Sequence, residues 1–262
     1  MSAILELQGV SMSFGGLKAV DNLSFSVNEN EIVSIIGPNG SGKTTTFNVI
    51  SGLYEPDSGD ILLKGESVAG MRPDQVHDKG ISRTFQSLRL FSNMSVLENV
   101  LVGMHSVTDA GLLASMLRLP KVRREEKAMR ERAQEILDMF PGRFSGPRQQ
   151  QPAFSLSYAN RRRLEIARAL ASNPTLLMLD EPVAGMNPME SHEVMEQIKI
   201  LRDKGYTIVM IEHDMHVVEG VSDRVIAMDH GVKIAEGSYS DVANDPQVVE
   251  AYLGKRAAEA TA

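Results

Sequence analysis

The chain has 262 residues, with 42% hydrophobic and 23% charged side chains, the balance of an ordinary folded protein. Its 27 Lys and Arg stand against 34 Asp and Glu, a formal charge of −7, which argues against nucleic acid as a partner because phosphate backbones demand a cationic face. Cysteine is absent, so disulfides, thiolate zinc sites and cysteine nucleophiles are excluded.

Ile4 to Val10 and Leu23 to Val27 alternate apolar and polar residues, the period of half-buried strands. Ile32 to Ile36 is a short apolar run that ends in Gly37-Pro38-Asn39-Gly40, as expected of a central strand buried on both faces. From Thr44 the pattern turns helical, with Phe47 and Ile50 on one side and Gly52 as the stop. Ile61-Leu62-Leu63 is another strand. Met129, Ala133, Ile136, Leu137 and Phe140 then mark an amphipathic helix broken by Pro141-Gly142. Its charge run, Arg123 to Arg132, is a solvated face. Ser157 is placed to cap a further helix that runs to about Ser172. The strand–helix rhythm resumes with a strand at Leu176 to Leu179, a helix over Pro188 to Lys204 and a strand at Thr207 to Ile211. Val194, Ile198 and Leu201 point inward from that helix, and Arg224 to Ala235 reads as a hairpin turning at Asp229-His230-Gly231. No apolar run approaches the roughly 18 residues that cross a bilayer, and the N-terminus has no secretory pattern. The expectation is a soluble α/β protein with a mostly helical insertion over about residues 87–173.

Gly37-Pro38-Asn39-Gly40-Ser41-Gly42-Lys43-Thr44 is a full match to the phosphate-loop pattern G-x-x-x-x-G-K-[ST], between a buried strand and a helix. Glycines let backbone N–H groups wrap phosphate oxygens at a helix N-terminus. Lys43 supplies a mobile charge for the terminal phosphates, and the Thr44 hydroxyl can ligate Mg²⁺. Leu176 to Leu179 then carries Asp180 and Glu181 to a strand end. In nucleotide hydrolases an acid so placed holds Mg²⁺ through water, and the next one takes a proton from the attacking water.

From about Leu5 to Gly254 the sequence resembles the nucleotide-binding subunits of ATP-binding cassette transporters. The resemblance rests on these motifs and five more: Phe14 in Met-Ser-Phe-Gly-Gly, Gln86 in Arg-Thr-Phe-Gln, the signature segment Leu156-Ser157-Tyr158-Ala159-Asn160, Ala184-Gly185-Met186-Asn187-Pro188, and His213 in Ile-Glu-His-Asp. It implies a P-loop, RecA-like core with an N-terminal antiparallel β region and an inserted α-helical subdomain. One cassette domain over 1–255 and a short tail over 256–262 follow. It further implies ATP and Mg²⁺ as cofactors, with Phe14 against adenine and residues 37–45, Thr45 included, around the phosphates. Ser157 would reach the nucleotide of a second, head-to-tail subunit. Thr44, Gln86 and Asp180 would serve the metal, and Glu181, His213 and Gln86 the chemistry. Implied partners are membrane permease subunits and, indirectly, a solute-binding protein, with the chain peripheral on the cytoplasmic face of the membrane.

Arg-Thr-Phe-Gln, Ala-Gly-Met-Asn-Pro, Ile-Glu-His-Asp-Met and Glu250-Ala251-Tyr252-Leu253-Gly254 narrow the resemblance to branched-chain amino acid importers, as does the stretch Val107 to Pro120. Urea uptake and lipopolysaccharide export share the engine. A soluble cassette of translation or DNA repair and a weakly hydrolysing regulatory subunit are the other readings. The last arises because Ala159 and Asn160 stand where the family has Gly and usually Gln. The Ala159 methyl is expected to crowd the partner's γ-phosphate.

Overall fold

The computed structural model describes residues 3–104 and 120–253. The stretch read as a subfamily insertion, up to residue 119, and the tail over 256–262 lie outside the described residues.

The chain opens with two long strands, β1 (Ala3–Phe14) and β2 (Leu17–Asn28), that pair antiparallel. Then come β3 (Ile32–Ile36), helix α1 (Lys43–Ile50), β4 (Ser58–Leu63), β5 (Glu66–Ser67), α2 (Pro73–Asp78) and β6 (Ile81–Arg83). Helices α3 (Val96–Val102), α4 (Pro120–Asp138) and α5 (Tyr158–Leu170) separate β6 from β7 (Leu176–Asp180). The remainder is α6 (Pro188–Asp203), β8 (Thr207–Ile211), α7 (Met215–Val221), the hairpin β9 (Arg224–Asp229) and β10 (Val232–Gly237), α8 (Tyr239–Ala243) and α9 (Pro246–Leu253).

Two sheets form. One is antiparallel in the order β2-β1-β4-β5, and the other runs β10-β9-β3-β8-β7-β6 with parallel pairing from β9 through β6. The pleat divides each buried strand between two cores. Leu176, Met178, Val209 and Ile211 face the antiparallel sheet and α1, together with Leu5, Val20 and Phe47. Their neighbours Leu177, Leu179, Ile208 and Met210 face the helices, with Ile136, Leu164, Val194 and Ile198. Burying a side chain the size of Phe47, which is fully covered, contributes about 1.5–3 kcal/mol.

The expected elements are present, with ends moved by a few residues. The two N-terminal strands are longer than their alternating cores because cross-strand pairing continues to the turn at Phe14 and Leu17. The amphipathic pattern of α4 holds: Ala133, Ile136, Leu137 and Phe140 are buried, and Met129 packs against them. Short α3 went unread, although its start is well marked. Ser95 accepts from the Glu98 amide while Glu98 reaches back to the Ser95 amide.

Candidate active site

Parallel pairing lines up the C-terminal ends of β3, β7 and β8, where α/β sheets place ligand sites. Each strand delivers one loop. After β3 the chain wraps into the phosphate loop and enters α1. Gly42, the N-cap of α1, has φ 101°, and a Cβ there would lie 2.3 Å from the Ala19 carbonyl oxygen, so only glycine fits. The first turn of α1 has neither a side-chain cap nor an acidic residue, which leaves its N–H groups for an anion. Lys43 is buried, and its ammonium donates to the carbonyls of Gly37 at 2.7 Å and Pro38 at 2.8 Å, with a longer contact to Ser41 Oγ at 3.4 Å. Burial lowers the Lys43 pKa from its ordinary value, and the Glu181 charge opposes that.

After β7, Glu181 takes a left-handed conformation at φ 47°, a strain of about 1–3 kcal/mol that the surroundings must hold. Its amide donates to Ile211 O at 3.0 Å, tying it to β8. Its carboxylate accepts from Gln86 Nε2 at 3.2 and 3.3 Å and meets His213 Nε2 at 3.1 Å. Three residues drawn from three loops therefore meet at one carboxylate. Beneath His213, Glu212 is buried and accepts the amides of Val183, His213 and Asp214. Burial raises the Glu212 pKa in spite of these three bonds.

One cleft of about 470 Å³ is lined by Phe14, residues Asn39 through Thr45, Gln86, Glu181 and His213, joined by Leu17, Lys18, Ala19 and His230. Phe14 is half exposed and meets Tyr54 edge to face at 5.2 Å between ring centres. Gly37 and Pro38 form the base of the loop, through the carbonyls that hold Lys43. Asp180 is buried, and its Oδ2 pairs with Arg83 at 2.8 Å. Arg83 also bonds Asn48 of α1 and Ser51, the C-cap of that helix, and stacks between Phe47 and Phe85. Ser157 is not among the residues lining this cleft. It caps α5, its Oγ accepting the Asn160 amide at 3.4 Å.

The signature departure requires a correction. Ala159 is 2% exposed and lies in regular helix, so its methyl is covered by its own chain and does not crowd a partner's phosphate. Helical backbone also favours Ala over Gly there. Asn160 is occupied within the chain, accepting from Arg163 at 3.0 Å. Sequence reasoning missed Arg83, Arg162, Glu165 and Glu212. The signal available for them was weak: Glu212 follows an apolar run and Glu165 lies between two apolar residues, while Arg162 is one of three consecutive arginines and Arg83 stands between Ser82 and Thr84.

The family model for ABC transporters matches residues 20–184, and the model described as branched-chain amino acid ATP-binding cassette transporter matches residues 232–258. The high-affinity branched-chain amino acid transport ATP-binding protein LivG of Salmonella typhimurium is 44% identical over 253 residues, covering 96% of this chain and 98% of that protein. Among solved structures, the ADP conformation of MJ1267, an ATP-binding cassette of an ABC transporter, aligns with a TM-score of 0.84 at 35% identity, covering 97% of this chain and 100% of that one. The dimeric structure of the bacterial cassette MJ0796 aligns with a TM-score of 0.74 at 26% identity, covering 90% of this chain and 98% of that one. With the phosphate loop, Gln86, Glu181 and His213 gathered at one cleft, and Asp180 buried behind it against Arg83, this chain belongs to the ATP-binding cassette family of ABC transporters.

Proposed function

We propose that this chain is the ATP-hydrolysing subunit of an importer of branched-chain amino acids. The observation that carries the reading is the meeting of Gln86 and His213 on the Glu181 carboxylate, in the cleft that the phosphate loop lines. The solute assignment draws on the named relatives and on the C-terminal family match.

In this reading Lys43 and the amides of residues 40–45 hold the phosphates, and Phe14 packs against the base. Glu181 takes the proton of the attacking water as its oxygen adds to the γ-phosphorus and the bond to the β-phosphate oxygen breaks. Gln86 and His213 aim the carboxylate before water arrives, and His213 then faces the γ-phosphate. The donors near the loop are hard oxygens, which suit Mg²⁺. Thr44 Oγ, the Gln86 amide oxygen and Asp180 would hold the ion, which when bound neutralises charge on the β- and γ-phosphates. Two chains pair head to tail, each completing its partner's site through Ser157, and their closure moves permease subunits that a solute-binding protein supplies. Among the described residues no helix is long and apolar enough to cross a membrane. In this reading the chain rests on its permease at the cytoplasmic face. The whole stretch 1–255 acts as one cassette domain, with 87–173 as its helical subdomain.

The test is uptake of labelled leucine and of labelled urea by membranes carrying the chain with its co-purified permease. ATP-dependent leucine uptake supports the reading. Urea uptake, or co-purification with lipopolysaccharide-export proteins, replaces the solute while keeping the engine.

A further inference from the structure

The fork of Arg162 joins three stretches of chain far apart in sequence. The side chains of Arg162 and Glu165, one turn apart on α5, are 0% and 1% exposed and pair at 2.9 Å. Nη1 also donates to the Phe85 carbonyl at 2.5 Å. Nη2 donates to the Gln86 carbonyl at 2.9 Å and, over a longer 3.4 Å, to the Glu181 carbonyl. Glu165 contributes from the other side, its second oxygen accepting the Arg89 amide at 3.2 Å. The backbone that carries Gln86 and the backbone that carries Glu181 are therefore gripped by one guanidinium.

A buried ion pair is a poor source of net stability, because apolar side chains of similar volume usually do as well. It is a good source of geometry, since a planar fork with fixed donor directions accepts few arrangements of the carbonyls around it. Arg162 lies five residues along from Ser157, about 7.5 Å of helix rise. A displacement of the Ser157 end of α5 is delivered to the fork, because the helix between them moves as a rod.

We propose that Arg162 is a positioning residue, which through the carbonyls of Phe85, Gln86 and Glu181 makes the placement of those site residues follow the placement of α5. The inference rests on the reading of Gln86 and Glu181 given above. Its consequence is that engagement of the Ser157 end by a paired chain bears on hydrolysis of this chain's own nucleotide as well as the partner's.

Two variants of the full chain test it. Arg162→Lys keeps the charge and the ion pair with Glu165 but lacks the fork. The double variant Arg162→Gln with Glu165→Gln leaves no buried charge unpaired. Each is melted to check folding, titrated with ATP, assayed for phosphate release and followed by amide hydrogen exchange. The expected result is ATP affinity within about twofold of the parent, kcat lower by at least about tenfold and KM nearly unchanged. Exchange over 84–89 should quicken while that over 37–44 stays as it was. A folded variant with kcat within about threefold of the parent overturns the proposal. So does a joint loss of affinity and turnover, exchange that rises everywhere, or failure of both variants to fold, since each assigns a merely structural role. Glu181→Gln runs alongside. Near-normal turnover in that variant defeats the reading of the site, whereas its loss beside normal Arg162 variants defeats this inference alone.

Discussion

The phosphate loop and the start of α5 are both helix entrances, yet they are built by different means. The first is assembled from backbone: Gly42 caps the helix, the Gly37 and Pro38 carbonyls hold Lys43, and the unfilled amides point at the ligand position. The second is assembled from side chains, with Ser157 on the Asn160 amide, Arg163 on Asn160 and Glu193, and Arg162 on Glu165 and three carbonyls. A backbone cradle forces particular residues at particular spacings. A side-chain joint does not, because every residue offers a carbonyl for an arginine to grip.

The largest effect that would sharpen this contrast is expected at the carboxylate between the two regions. Glu181→Gln keeps size and hydrogen bonding but removes the proton acceptor, so phosphate release should fall by about 10²-fold or more. MgATP should still bind, and ATP-bound pairs should accumulate on size exclusion. Next comes Lys43→Ala, which removes the ammonium from the backbone cradle. ATP binding should weaken by at least about tenfold, roughly 1.4 kcal/mol, in an equilibrium titration. Unchanged affinity would show that the cradle works without its cation.

Smaller effects probe the side-chain-built entrance. Since the Ala159 methyl is buried within its own chain, Ala159→Gly should not speed hydrolysis. It should cost about 1 kcal/mol through the lower helix propensity of glycine, seen as a lower melting temperature. Faster turnover in that variant would return the methyl to the interface.

Glu212 offers the finest test, being a side chain that serves backbone amides. Its pKa is raised above the ordinary 4.5, so the native state holds the proton more tightly than the unfolded chain. Its contribution to stability is therefore fully present below 4.5 and is lost as pH rises through the folded value. Glu212→Gln cannot ionise. Measured by thermal melts at increasing pH above 4.5, the variant should gain on the parent as pH rises.

This division explains what the sequence allowed to be read. The pleat made β3, β7 and β8 visible as apolar runs, and the loop glycines made the phosphate site visible by spacing. The cleft brings Phe14, Gln86, Glu181 and His213 together, but only a likeness to a family had joined them, since nothing local to each predicts the others. Arg162 looked like one charge in the run Arg161-Arg162-Arg163, and its burial follows from helix phase and tertiary packing. Asp180 was legible as an acid at a strand end, whereas its partner Arg83, 97 residues away, was not. Ala159 was misjudged because a motif compares residue types and says nothing about which way a methyl points.

The absence of room at Gly42 has a thermodynamic consequence. With the Ala19 carbonyl only 2.3 Å from where a Cβ would stand, and Gly231 donating to the Ser41 carbonyl at 3.0 Å, the loop is wedged between strand β2 of one sheet and the β9–β10 hairpin of the other. Neither sheet can melt away while the loop keeps its shape. Nucleotide that binds only the folded loop therefore stabilises both sheets at once, by about 2.7 kcal/mol at a ligand concentration one hundred times Kd. Unfolding with ligand bound becomes a single cooperative event, in which the N-terminal hairpin and the central sheet share one melting temperature.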